Sequence, residues 1–188
     1  MSARLLFLLL ALTWPWQPFD DAVKARVQAS RTPWLEGPMH AVTNGGRPLL
    51  VVAVGAGLLS GAAGRAALLE AGVALVPVNL AVEGIKYATN RVRPNGDHDR
   101  RNSAFPSSHA ANAFAVAVIL IRRWRRSAVP ALAAAALVAY SRMYLNKHWA
   151  VDVLAGSALG AALAHVTISW WRARAAGASA ASGKAAGA

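Results

Sequence analysis

Six apolar runs, separated by clusters of arginine or by polar loops, constrain this chain more than any other feature. They fall at about residues 5–14, 49–60, 66–82, 110–121, 128–140 and 151–171, here called segments one to six. Several are shorter than the roughly 20 residues that an α-helix needs to cross a hydrocarbon core. They reach that length only if the polar residues at their ends join the helices. That condition puts Lys86, His109, Arg142 and His148 at or near helix termini. The expected fold is all-α: a six-transmembrane-helix bundle. Composition agrees, since 56% of the 188 residues are hydrophobic and 15% are charged, too little charged surface for a soluble domain.

Segment one has the apolar character of a signal peptide but no small-residue cleavage site follows it. Trp14-Pro15-Trp16-Gln17-Pro18 suits an interfacial anchor instead, so the segment reads as a retained helix. Between segments one and two, Phe19, Ala22, Val23 and Val27 recur at helical spacing. Asp20 and Asp21 stand at the start of that stretch, and Lys24, Arg26 and Arg31 towards its end. This predicts one short amphipathic helix, lying in the membrane surface or serving as a solvated connector. Gly57/Gly61 and Gly156/Gly160 are small-xxx-small pairs that permit close helix packing. After Arg174 the chain turns Ala/Gly/Ser-rich. Residues 1–174 therefore read as a single membrane domain and 175–188 as a disordered cytoplasmic tail.

The net charge of +12 suits an anionic partner. The basic residues lie in short clusters between apolar segments rather than in a stripe, so nucleic acid is not the expected partner. With no cysteine, disulfides, thiolate metal sites and cysteine nucleophiles are excluded. Arg4, Arg65, the cluster Arg122, Arg123, Arg125 and Arg126, and Arg172, Arg174 and Lys184 all fall on one side of a six-span threading. The positive-inside rule makes that side cytoplasmic. The loop over residues 87–105 faces outward yet carries Arg91, Arg93, Arg100 and Arg101, an exception that phosphate binding would explain.

The same threading gathers chemistry at the outer face. Segments three and five end there with Lys86 and Arg142, and segments four and six begin there near His109 and His148. Two histidines and the cations Lys86, Arg93 and Arg142 thus converge, joined by the positive dipole ends of two helices. A phosphate monoester carries close to two negative charges and matches such a cradle. Asp152 lies four residues after His148, on one helical face, where its carboxylate can hold one ring nitrogen as N–H. His148 then attacks phosphorus to form a phosphohistidine, and His109 serves as acid and then as base. Charge on the equatorial oxygens meets Lys86, Arg93, Arg142, the Ser107 hydroxyl and the N–H groups that open segment four, Ser108 included. His148 is expected at the bundle surface, His165 without a partner, and His40 and His98 in solvent. Glu83 pairs with Lys86, and Glu70 snorkels towards the cytoplasm.

Taken in order, these residues resemble a known family. Lys86-Tyr-Ala-Thr-Asn-Arg-Val-Arg93-Pro94, then Pro106-Ser107-Ser108-His109, then Ser141-Arg142 with His148 and Asp152, are similar to the three signatures of the type 2 phosphatidic acid phosphatase (PAP2) superfamily. Those signatures are K-x6-R-P, P-S-G-H and S-R-x5-H-x3-D; Ser108 stands where glycine is usual. The resemblance implies His148 as nucleophile, Asp152 as its orienter and His109 as acid and base. It implies Lys86, Arg93, Ser107 and Arg142 as phosphate ligands, with no metal ion and no cofactor. Small bacterial members act on phosphatidic acid, phosphatidylglycerol phosphate, undecaprenyl pyrophosphate or lipid A phosphates. The expected location is a bacterial inner membrane, with the site facing the periplasm or exterior. The rival readings are a small transporter coupled through Glu70 and Glu83, and a non-catalytic lipid-binding relative. Asp97-His98-Asp99 has the look of a weak metal site but reads as a solvated loop.

Overall fold

A computed structural model describes residues 15–45, 59–99 and 102–186, with side chains to residue 178. Among the described residues the fold is all-helical, with no strand. The helices are α1 (Gln17–Ala29), α2 (Pro33–Asn44), α3 (Gly61–Thr89), α4 (Ser108–Arg123), α5 (Ala128–Tyr144) and α6 (Ala150–Ala186), with a 3-10 turn at Arg125–Ser127. Helices α3 to α6 are the expected segments three to six, extended at their ends over Lys86, His109 and Arg142. Segment one and nearly all of segment two lie outside the described residues.

α3 and α6 build the core against α4. On α3 the residues Glu70, Ala74, Val78, Val82 and Lys86 are buried at four-residue intervals, one face of the helix. The apolar part of that stripe packs on Ala111, Ala115 and Ile119 of α4 and on Ala164 and Ile168 of α6. The charged ends find separate partners. Glu70 accepts two hydrogen bonds from Arg172 of α6, at 2.8 and 2.9 Å, so it is buried and paired rather than snorkelling. Lys86 lies 3.6 Å from Glu83, the helical pair expected from their spacing. Asn79 of α3 and Asn112 of α4 exchange hydrogen bonds of 2.9 and 3.0 Å across the same interface.

α6 lies closest to α4, and glycine makes the approach possible. A Cβ at Gly156 would sit 2.5 Å from the Ser107 carbonyl oxygen, and one at Gly160 only 2.0 Å from that of Ala111. Gly61 differs: its φ is +69° and nothing lies near its missing Cβ, so it serves the turn into α3 and not helix packing.

Two expectations give way here. Two helices, not one, occupy the stretch after segment one, because Thr32-Pro33 stops α1 and a proline at the first helical position starts α2. Tyr144 locks that junction: its hydroxyl accepts from Thr32 N–H at 2.8 Å and donates to Thr32 O at 3.1 Å. At the other end α6 continues through Ala186, past the boundary drawn at Arg174. Apolar content was the wrong criterion for that stretch. Alanine has the highest intrinsic helix propensity and can prolong a helix that a packed core has already nucleated.

Candidate active site

Four backbone features bring the predicted residues together at one end of the bundle. Asn90, in the left-handed conformation with φ of 47°, ends α3 and returns its N–H to Lys86 O at 3.1 Å. The chain then folds back through Arg91: its N–H donates to Ser103 Oγ at 2.8 Å and its carbonyl accepts from Ala104 N–H at 2.9 Å. Ser107, which opens α4, donates its N–H to Asp152 O of α6 at 3.0 Å. After α5, the N–H groups of Lys147 and His148 both reach Arg142 O, at 2.9 and 3.2 Å. The five residues between Arg142 and His148 are thus the length of one closed turn, which Asn146 makes by taking φ of 56°.

Lys86, Arg93, Ser107, Arg142, His148 and Asp152 are all buried, at 8% exposure or less, whereas His109 is exposed at the rim. Lys86 Nζ stands 3.4 Å from Ser108 Oγ. Arg93 is anchored by Asn102, whose side-chain and main-chain oxygens accept at 2.5 and 3.2 Å. Arg142 Nη1 donates to Thr43 of α2 at 2.7 Å. Two polar atoms of the group, Ser107 Oγ and Arg142 Nε, are buried with no hydrogen-bond partner. Lys86, Arg93, Arg142 and His148 all lie close enough to His109 to act on its charge.

His148 departs from expectation twice. It is 3% exposed, a buried side chain and not one at the bundle surface. Its Nδ1 is 2.8 Å from Ala104 O and 3.8 Å from Asp152 Oδ2, so the carbonyl, not the carboxylate, makes the close contact. A carbonyl can only accept, which assigns the proton to Nδ1 and leaves Nε2 with its lone pair in the neutral ring. Burial holds the ring below the ordinary imidazole pKa; Asp152 opposes that shift, and Arg142 and Arg93 reinforce it.

Asp152 spends its oxygens elsewhere. Oδ2 accepts Trp149 N–H at 2.8 Å, and Oδ1 pairs with Arg91. Arg91 also reaches Asp20 Oδ2 at 2.6 Å. Sequence reasoning left Arg91 and Asp20 out of the site. In the sequence Arg91 is one of four arginines in a basic loop, and Asp20 a dipole-compensating acid on a helix that lies in the membrane surface or serves as a solvated connector. Asp20 is fully buried instead. Away from the site, His165 is not alone, since Arg122 Nη1 lies 3.2 Å from its Nδ1. Asp97 bonds Asn95 at 2.6 Å and lies 3.7 Å from Lys147. No group of three metal-ligating side chains occurs among the described residues.

Known proteins are similar to this chain in sequence and in fold. A lipid A 1-phosphatase of Porphyromonas gingivalis is 38% identical over 79 residues, which are 40% of this chain and 17% of that protein, so the chain spans a small part of that relative's length. The crystal structure of the first transmembrane PAP2 type phosphatidylglycerolphosphate phosphatase, from Bacillus subtilis, superposes with a TM-score of 0.67 at 27% identity. It covers 91% of this chain and 94% of the other. LpxE of Aquifex aeolicus shares the fold, with a TM-score of 0.67 at 21% identity over 79% of this chain and 93% of its own. Residues 67–176, more than half of the chain and the stretch that holds all three signatures, match the PAP2 superfamily, and the chain belongs to it.

Proposed function

We propose that the chain is an integral-membrane phosphatase that hydrolyses a lipid phosphate or pyrophosphate through a phosphohistidine on His148, without a metal ion. The observation that carries this reading is the pair of unpartnered buried groups, Ser107 Oγ and Arg142 Nε, among three cations. A buried polar group left unpaired costs about 1–3 kcal/mol, and a bound phosphate oxygen would satisfy each of them.

Nε2 of His148 attacks phosphorus while Nδ1–H stays on Ala104 O. The P–O bond to the lipid breaks, and the departing oxygen takes a proton from His109. Lys86, Arg93, Arg142, Ser107 and the N–H groups opening α4, that of Ser108 among them, take up charge on the three equatorial oxygens. Water then gives its proton to His109 and attacks phosphorus; the P–N bond breaks and inorganic phosphate leaves. Asp152 acts by holding the turn that carries His148.

A membrane location has its own support. α3 and residues Ala150–Ala178 of α6 are long and apolar enough to cross a bilayer, and only 22% and 33% of their most apolar windows are buried within the protein. Leu69, Val76, Leu80, Leu154 and Val166 are exposed on them, an apolar surface that lipid would cover. The six-span threading of the sequence, together with the positive-inside rule, supports a site at the outer face of a bacterial inner membrane. The lipids named for two relatives, a lipid A 1-phosphate and phosphatidylglycerolphosphate, fit this placement as substrate classes.

The test is phosphate release by the detergent-purified chain in excess EDTA. Phosphatidic acid, phosphatidylglycerol phosphate, undecaprenyl pyrophosphate and a lipid A phosphate are offered, with His148→Ala alongside. Release that survives chelation and vanishes in the variant is expected. Normal turnover by His148→Ala, or turnover that needs added metal, would overturn the mechanism.

A further inference from the structure

Helix α6 begins without a cap of its own. The residue before it is Trp149, whose side chain has no oxygen to accept the free N–H groups of the first turn. Asp20, 131 residues earlier on α1, supplies the acceptor: its Oδ1 takes Val151 N–H at 2.9 Å. Asp152, at the third position of α6, completes the arrangement by taking Trp149 N–H, the back-reaching half of a capping box. Two fully buried carboxylates thus meet at one helix start, and their repulsion needs a cation. Arg91 lies between them, one guanidinium nitrogen on Asp152 and the other on Asp20. Its guanidinium also lies 5.5 Å from the centre of the Trp149 ring.

The rest of α1 repeats the pattern. Asp20, Lys24 and Gln28 stand four residues apart on one face, and all three touch the loops of the site. Lys24 Nζ donates to Pro94 O at 2.8 Å and lies 5.1 Å from the Trp149 ring centre. Gln28 Nε2 donates to Met143 O at 3.0 Å and Tyr144 O at 3.3 Å. The face of α1 that carries Asp20, Lys24 and Gln28 is therefore turned onto the site's loops, Asp20 fully buried and the other two half-buried, while Asp21 and Arg26 are exposed. It holds the loop after α3, the turn after α5 and the start of α6, which carry Arg93, Arg142 and His148.

From this geometry we infer that Asp20 and Arg91 are positioning residues for the nucleophile, acting as one unit through Asp152 and the start of α6. They touch no substrate. They set where the Arg142–His148 turn ends and where Ser107 hangs from Asp152 O, and so fix the His148 ring relative to the phosphate pocket. The inference rests on the phosphatase reading above. A displacement of about 1 Å between reacting groups costs on the order of a hundredfold in rate, so slackening this support falls on kcat.

The experiment measures kcat and KM for the full chain in detergent, on whichever of the four lipids the wild type hydrolyses best. The variants are Asp20→Asn, Arg91→Lys and the pair together. Asp20→Asn keeps an oxygen for Val151 N–H but loses the charge; Arg91→Lys keeps the charge but cannot span two carboxylates. Each single variant is expected to lower kcat about tenfold or more, with KM little changed. The double variant is expected to be no worse than the poorer single, because the two act together. A kcat less than about tenfold below wild type, a loss confined to KM, or losses that multiply in the double variant would each overturn the inference. Should Asp20→Asn fail to fold, Arg91→Lys alone decides by the same criteria. A silent wild type removes the phosphatase reading and the positioning pair with it, whereas an active wild type with an unaffected Asp20→Asn removes the pair alone.

Discussion

Gly156→Ala tests whether helix packing sets the geometry of the proposed phosphate pocket. The added Cβ would stand 2.5 Å from Ser107 O and 3.2 Å from both Ser107 C and N, where ordinary contact begins near 3.4 Å. All three atoms are backbone, so no side chain can rotate out of the way. Either α6 or the backbone at Ser107 must retreat by about 1 Å, and overpacking of this kind costs roughly 1–3 kcal/mol. The displaced atoms belong to the residue whose hydroxyl is proposed to bind phosphate and whose N–H is tied to Asp152. Activity should therefore fall further than stability, with kcat/KM down on the order of a hundredfold. Phosphate-release kinetics and a thermal melt of the same preparation separate the two effects. Gly72→Ala is the control, since nothing lies within 4 Å of its Cβ position; it should leave turnover unchanged. Wild-type kcat/KM in Gly156→Ala would refute the argument that the α4–α6 contact positions Ser107.

Other outcomes follow from single features. Because burial lowers the His148 pKa, the ring should stay neutral below the ordinary value near 6.5, and the acid limb it causes in kcat/KM should lie below that pH; a His148 limb at or above it would contradict the burial. Glu70→Gln should leave phosphate release within about twofold while lowering the melting temperature, as charge-assisted hydrogen bonds to Arg172 contribute roughly 1–2 kcal/mol; loss of function with intact folding would favour the transporter reading. Tyr144→Phe removes both bonds to Thr32 and should cost about 1 kcal/mol in a denaturation assay, with KM unchanged.

The gathering of the candidate residues at one end of the bundle was legible in the sequence, and their hydrogen-bond partners were not. Lys86, Arg142, His109 and His148 could be placed because short apolar runs force polar residues to helix ends, and the threading then leaves one face for all four. Asp152 does share a face with His148, 3.8 Å from its Nδ1, but the expected partnership does not form. A four-residue spacing states that two side chains share a face, not which of several nearby partners wins: Arg91 and Trp149 N–H donate to the carboxylate, and Ala104 O accepts from the ring. Asp20 was illegible for a similar reason. Its local signal, an acid in the first turn of an amphipathic helix, is complete without a tertiary partner, so nothing in its neighbourhood points to Val151. The burial of His148 was missed because a polar residue in a connection between helices reads as exposed. The turn that buries it is closed by Arg142 O, a contact made by backbone atoms.

The span of the Asp20–Arg91–Asp152 network bears on how the protein comes into being. Its members lie on the first and last described helices and on the loop between α3 and α4. While the chain is being made, the loop carrying Arg91 and Arg93 exists well before its carboxylate partner at Asp152. Until α6 arrives, the nascent chain holds the Lys86 and Arg93 half of an anion site with neither the nucleophile turn nor the Ser107 anchor fixed. On the proposed phosphatase reading, insertion of the last helix is thus the step that completes the pocket.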